Sequence, residues 1–212
     1  NAIVAKVSIV DPECMMTMPS CILASVGFDA FCHCMEAYIS KIGQPLTDMM
    51  SVYGMQQLGK YLVPLFEGDN SKEAWDYVSF ASTLGGMVIN TAGVTLPHGM
   101  EHPASGLKNI VHGKGLAAIT PVVMDATIEG CPDKFDVISK CLGGNGTSDF
   151  SDKLREFIEK LKLTTTLSQL GIEASNVDWM TENCMKVSAA GISYHPVTFD
   201  KEGIRQLYLK AL

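Results

Sequence analysis

From residue 20 onward the apolar positions recur with helical rather than alternating spacing. A helical period over most of a chain predicts a helix-on-helix architecture. Residues 20–40 form a long run of apolar and small side chains, with Gly27 as a place for a kink. Thr47 and Asp48 read as the cap of a helix from about Met49 to Leu62, which Pro64 stops. Ser71, followed by Glu73 and Asp76, starts another that runs to about Asn90. Residues 115–126 are helical with a kink expected at Pro121. Residues 149–162 are amphipathic, with charge pairs Asp149–Lys153 and Glu156–Lys160 one turn apart. Residues 178–190 and 201–212 complete the set, and residues 143–146 (Gly-Gly-Asn-Gly) read as a surface turn. One segment differs: residues 3–10 are β-branched and apolar and predict a strand, ended by Asp11-Pro12. Residues 14–20 then form a connector, with Pro19 placed to open a helix. A lone strand leaves its backbone groups unpaired, so this one is expected to belong to a sheet outside the chain. The expectation is a mainly α, bundle-like domain with one leftover N-terminal strand. The first residue is Asn1 rather than Met, and the chain is expected to be a piece of a longer protein beginning near a domain boundary.

Composition narrows the function classes. The chain has 212 residues, 47% of them hydrophobic and 18% charged, which excludes a disordered chain. Lys and Arg number 16 against 23 Asp and Glu, for a net charge of −7, so no nucleic-acid footprint is expected. No window holds the roughly 18 continuous apolar residues of a membrane span, and no membrane partner is expected. Cysteines stand at 14, 21, 32, 34, 131, 141 and 184 with no C-x-x-C pair. That spacing supports neither a zinc ribbon nor a thioredoxin-type motif. They read as reduced thiols of a cytoplasmic protein, where cysteine behaves as a small buried hydrophobe.

The candidate chemistry lies in the histidines. Asp29 and His33, in GFDAFCHCME, are one helical turn apart and share a face, with Glu36 a turn further on. His98 and His102 lie in PHGMEHP, where Pro97 starts a turn and Pro103 ends it. His112 follows in His112-Gly113-Lys114-Gly115, just before a helix. One aspartate and three histidines make four oxygen and nitrogen donors, a set that zinc or iron(II) accepts. Three segments would have to converge, and spacing alone leaves open whether His98 or His102 is the ligand. Cys32 and Cys34 flank His33 but project about 100° to either side of it, away from the shared face. His195, in Ser193-Tyr194-His195-Pro196, reads as incidental.

GFDAFCHCMEAYIS with the following Pro45-Leu46-Thr47-Asp48, then LPHGMEHPASGL and His112-Gly113, resembles the iron-containing (group III) alcohol dehydrogenases. The connector IVDPECMMTMP resembles that family's interdomain junction. The resemblance runs from Ile3 to the C-terminus and is densest at 26–48 and 96–124. It implies the helical C-terminal domain of the dehydroquinate synthase-like fold, with residues 1–18 as remnant strand and junction and 19–212 as the metal- and substrate-binding domain. Residues 143–146 follow no strand and do not make a dinucleotide fingerprint, so the N-terminal NAD(P)-binding domain that the resemblance implies is expected to lie outside this sequence. Carried over by position, the resemblance implies Asp29, His33, His98 and His112 as ligands of Fe(2+) or Zn(2+). It implies His102 as a proton-relay residue beside the nicotinamide, and Thr17 and Met18 as junction residues near the NAD or NADP. Glu36 is expected to support the site rather than ligate.

The activity implied is interconversion of a small-molecule alcohol and its aldehyde or ketone by hydride transfer, the metal polarising the oxygen. The fragment alone is expected to be inactive, to expose an apolar face where the NAD(P)-binding domain packed, and to form a homo-oligomer, a dimer. Competing readings are a helical metal-dependent hydrolase, which would want an adjacent His-Asp dyad that is absent here, and a glycerol dehydrogenase-like member of the same superfamily. A non-catalytic helical module is the third.

Overall fold

A computed structural model describes residues 5–212. Ten α-helices are found among them: α1 (Ser20–Ile39), α2 (Pro45–Phe66), α3 (Lys72–Ala92), α4 (Leu96–Lys108), α5 (His112–Asp125), α6 (Pro132–Cys141), α7 (Phe150–Lys160), α8 (Val177–Val187), α9 (Ala189–Tyr194) and α10 (Lys201–Ala211). No strand occurs among the described residues. Ile3 and Val4 of the expected strand lie outside them. Residues 5–10 are exposed and pair with nothing in a ladder, Ile9 being 91% accessible. Without a neighbouring strand to pair its backbone groups, a β-branched run forms no ladder.

Two large hydrophobic clusters make most of the core, with a small third one at Ala37, Val88 and Ala92. The larger joins α1, α2, α3, α6 and α7 around Phe28, Phe31, Met35, Leu58 and Phe135. The smaller joins α4, α8 and α10 around Leu96, Met100, Met180 and Tyr208. Helix α5 belongs to both, giving Leu116, Ala117 and Met124 to one and Ala118, Ile119 and Val123 to the other. The candidate ligands lie at this seam, where α1 of the first cluster meets α4 and the start of α5.

Helix α1 is long and apolar enough to cross a membrane by length and hydropathy, yet it is mostly buried in the domain. It packs against α2, α3 and α5 and runs unbroken through Gly27. All seven cysteines are free thiols, with Cys32, Cys34 and Cys184 buried.

Capping explains several boundaries. The Ser71 hydroxyl accepts from the Ala74 amide at 3.4 Å, as its position predicted. Helix α2 starts four residues before the expected Met49, because Pro45 takes the first turn and the Gln44 amide donates to Thr47 Oγ1 at 2.8 Å. It also continues past Pro64 to Phe66. The carbonyl that this proline cannot bond is that of Lys60, an exposed residue that water can serve. Residues 178–190 break into α8 and α9 at Ser188. Of the two charge pairs expected on α7, Lys160–Glu156 forms at 2.7 Å. Asp149 instead holds the Asn145 and Gly146 amides at 2.8 and 3.2 Å, and Lys153 turns to Glu156 at 2.8 Å. Helix α6 was not expected; only Phe135 and Ile138 mark its apolar face.

Candidate metal centre

Pro103 does not end the PHGMEHP turn; it lies inside α4, which runs on to Lys108. Proline cannot bond the carbonyl four residues back, here Gly99. The Ser188 hydroxyl donates to that oxygen at 3.3 Å, supplying the missing partner from the α8–α9 junction. An unbroken α4 sets His98 and His102 on adjacent turns. Asn109 then takes the left-handed conformation, φ 52°, with its amide on the Ser105 carbonyl. That cap reverses the chain so that α5 opens at His112 itself, back beside α4.

The result is a convergence on one oxygen. Asp29 Oδ1 lies 3.3 Å from His33 Nε2, 3.2 Å from His98 Nε2 and 3.5 Å from His112 Nε2. Asp29, His33 and His98 place their donor atoms within 4.8 Å of one another, Glu101, His102 and His112 do the same, and Asp29 Oδ1 links the two groups through His112. The rings of His33 and His98 stack at 4.9 Å, and that of His112 is 5.2 Å from His98.

Two of the imidazoles are held from behind by buried carboxylates. Glu36 Oε1 takes His98 Nδ1 at 2.6 Å, while Glu36 Oε2 accepts from the Thr95 amide at 2.7 Å and hydroxyl at 3.2 Å. Glu101 Oε2 takes His112 Nδ1, and Glu101 Oε1 accepts from Ser105 Oγ. Both glutamates are fully buried. Glu36 supports the site as expected, whereas Glu101 escaped the sequence reading. A signal was present: a histidine that turns Nε2 inward needs an acceptor at Nδ1, and Glu101 is the one acid in the segment joining His98 to His112.

The electrostatics follow from this packing. Burial pushes the Asp29 carboxyl up, but hydrogen bonds from His112 and His98 outweigh it and hold it well below the usual carboxylate range. Burial disfavours charge on His98, yet Glu36 and Asp29 carry its pKa to about 10. His112 is raised to about 9 against the same burial by Asp29 and Glu101. His33, with burial dominating, is lowered. Three carboxylates that favour an imidazolium proton equally favour a divalent cation in its place, so the donor set fits a metal.

The remaining candidates fall around this point. His102 is exposed, edge-on to His98 at 5.9 Å and stacked on His112 at 5.7 Å. Thr17 and Met18 sit just ahead of α1, whose first residue is roughly 14 Å along the helix axis from Asp29. Met18 packs against the larger hydrophobic cluster. Burial raises the Cys32 and Cys34 thiols well away from the thiolate form. His195 is remote from the cluster and buried, with Nε2 on Thr127 Oγ1 at 2.9 Å.

The sequence profile described as "Fe-containing alcohol dehydrogenase family, C-terminal" matches residues 23–212. The chain belongs to the iron-containing alcohol dehydrogenase family. Among relatives, an NADPH-dependent butanol dehydrogenase of Clostridium saccharobutylicum is 28% identical over 97% of this chain and 55% of its own length. A 1,3-propanediol dehydrogenase of Klebsiella pneumoniae is 30% identical over 85% of the chain and 49% of its own length. The crystal structure of an archaeal halo-thermophilic alcohol dehydrogenase from a Red Sea brine pool superposes with a TM-score of 0.92 at 31% identity, over 98% of this chain and 55% of that one. The chain thus spans about half the length of the iron-containing alcohol dehydrogenases it matches.

Proposed function

We propose that this chain is the metal- and substrate-binding part of an NAD(P)-linked alcohol dehydrogenase, with Asp29, His33, His98 and His112 holding Fe(2+) or Zn(2+). The observation that carries the proposal is the approach of three imidazole Nε2 atoms to Asp29 Oδ1 at 3.2 to 3.5 Å.

A divalent ion held there supplies Lewis acidity toward an alcohol oxygen, and a nicotinamide supplies the hydride acceptor. The chain's own residues do the rest. His102 is kept neutral by burial and by the neighbouring His98 charge. A neutral imidazole that is also exposed can take the alcohol proton and release it to water. Beside it lies a cavity of about 340 Å³ lined by Ile89, Val94, Gly99, Val187, Ala190 and Tyr194, with no Asp, Glu, Lys or Arg in its walls. Such walls suit the carbon chain of an uncharged alcohol or aldehyde and disfavour an acid.

The NAD(P)-binding domain is the proposed partner. Ile22 and Val26 extend the Asp29–His33 face of α1 toward its N-terminus, and both are about half exposed, 45% and 47%. An apolar border of this kind around a polar site is what a second domain would cover, with Thr17 and Met18 near the junction and the cofactor. When that domain is missing, the same exposed surface is proposed to favour self-association of the fragment, as a dimer.

The test is metal content by elemental mass spectrometry, beside an Asp29→Ala/His98→Ala double variant. About one iron or zinc per chain, lost in the variant, is expected. Metal retained in the variant, or absent from the wild type, overturns the assignment.

A further inference from the structure

Of the two buried carboxylates behind the histidines, Glu101 belongs to His112 alone. Glu101 is fully buried on α4, and its surroundings are built around it. Ser105, one turn on, donates to Oε1, and His112 donates from Nδ1 to Oε2. Gly115 leaves the space: a Cβ there would stand 2.4 Å from Glu101 Oε1. Three residues from two helices therefore accommodate one carboxylate.

The carboxylate is an acceptor, so when a metal takes the place of the Nε2 proton, the remaining proton of His112 would stay on Nδ1 and the Nε2 lone pair would face the ion. We infer that Glu101 is a positioning residue for His112: it selects the tautomer, fixes the ring plane and makes Nε2 a stronger donor to a metal. The inference rests on the reading of His112 as a ligand. Glu36 stands in the same relation to His98, but it also holds the Thr95 amide and hydroxyl across α1 and α4. Glu101, Ser105 and His112 all lie within the α4–α5 hairpin. Removing the Glu101 charge therefore changes how one ligand is held without cutting a tie between distant helices.

The experiment is titration of the metal-stripped protein that carries this chain with Co(2+), reading both Kd and the visible d–d absorption. Wild type, Glu101→Gln, Glu101→Ala and His112→Ala are compared, with thermal melting of each metal-free protein. Glu101→Gln keeps the size and an acceptor but loses the charge. Its Kd is expected to weaken by about 10- to 100-fold with an altered absorption band, while its metal-free melting stays near that of wild type. Should Glu101→Ala fail to fold, the glutamine variant decides. A Glu101→Gln protein with the wild-type Kd and spectrum overturns the positioning role, provided His112→Ala weakens binding. If His112→Ala also binds like wild type, the ligand reading of His112 falls and the inference falls with it.

Discussion

Gly113 faces the backbone of Ser25 so closely that a Cβ on it would stand 2.2 Å from the Ser25 carbonyl oxygen. Backbone on a core helix cannot swing aside as a side-chain tip can. Gly113→Ala must therefore lift the first turn of α5 from α1, and His112 opens that turn. The expected result is a loss of about 1–3 kcal/mol together with reduced bound metal. A variant with wild-type melting and full metal content would show that α5 docks less tightly than described.

Glu36 and His98 form a pair that is 0% and 3% exposed. Taking one partner from a buried pair strands the other. Glu36→Ala also strips the Thr95 amide of its acceptor. A cost of about 3–5 kcal/mol is expected, read as a lowered urea midpoint of the metal-free protein. A loss under about 1 kcal/mol, the range of an exposed pair, would sink this account.

His195 gives the fold an acid sensitivity of its own. Burial lowers its pKa from the ordinary 6.5 to about 4, and its Nδ1 has no partner among the described residues. Below pH 6.5 the unfolded chain takes up a proton that the native chain refuses until about pH 4. Stability from this residue is thus complete above pH 6.5 and is lost as pH falls toward 4, by about 3 kcal/mol in all. Urea unfolding at pH 7 and pH 4.5 should show the loss in wild type and a smaller one in His195→Gln. Equal losses in the two proteins would refute it.

Asp149 ties down the turn at 143–146. The Ser139 hydroxyl at 2.5 Å and the Asn145 and Gly146 amides hold its carboxyl at about 2, below the ordinary 3.8. A depressed carboxylate stabilises above its unfolded pKa, so this contribution fades as pH falls from 3.8 through 2. Hydrogen exchange at the Asn145 and Gly146 amides should be faster in Asp149→Ala at pH 7. Unchanged protection would mean the turn is held by other contacts.

The helical class, the Ser71 cap and the Asp29–His33 face were legible because each rests on neighbours within one or two turns. The failures share another cause. Pro64 and Pro103 read as helix ends, since proline removes a local hydrogen bond; the Lys60 carbonyl belongs to an exposed residue that solvent reaches, and Ser188 serves that of Gly99, neither of which is local. The choice between His98 and His102 needed the seam, because both share α4 and only His98 approaches Asp29 within 3.2 Å. Glu101 was hidden by its composition-level anonymity: an acid between histidines looks like surface charge until its burial is seen. The strand expected at 3–10 was read together with a sheet outside the chain, and among the described residues, 5–10 form no ladder.

The placement of the cluster at the seam has a thermodynamic consequence. Its donors come from α1 on one side and from α4 and α5 on the other, so an ion bound there would resist separation of the two hydrophobic clusters. At a free concentration a hundredfold above its Kd, a ligand of the native state adds about 2.7 kcal/mol. Loading would then raise the melting of both clusters together, and chelation would take that increment away.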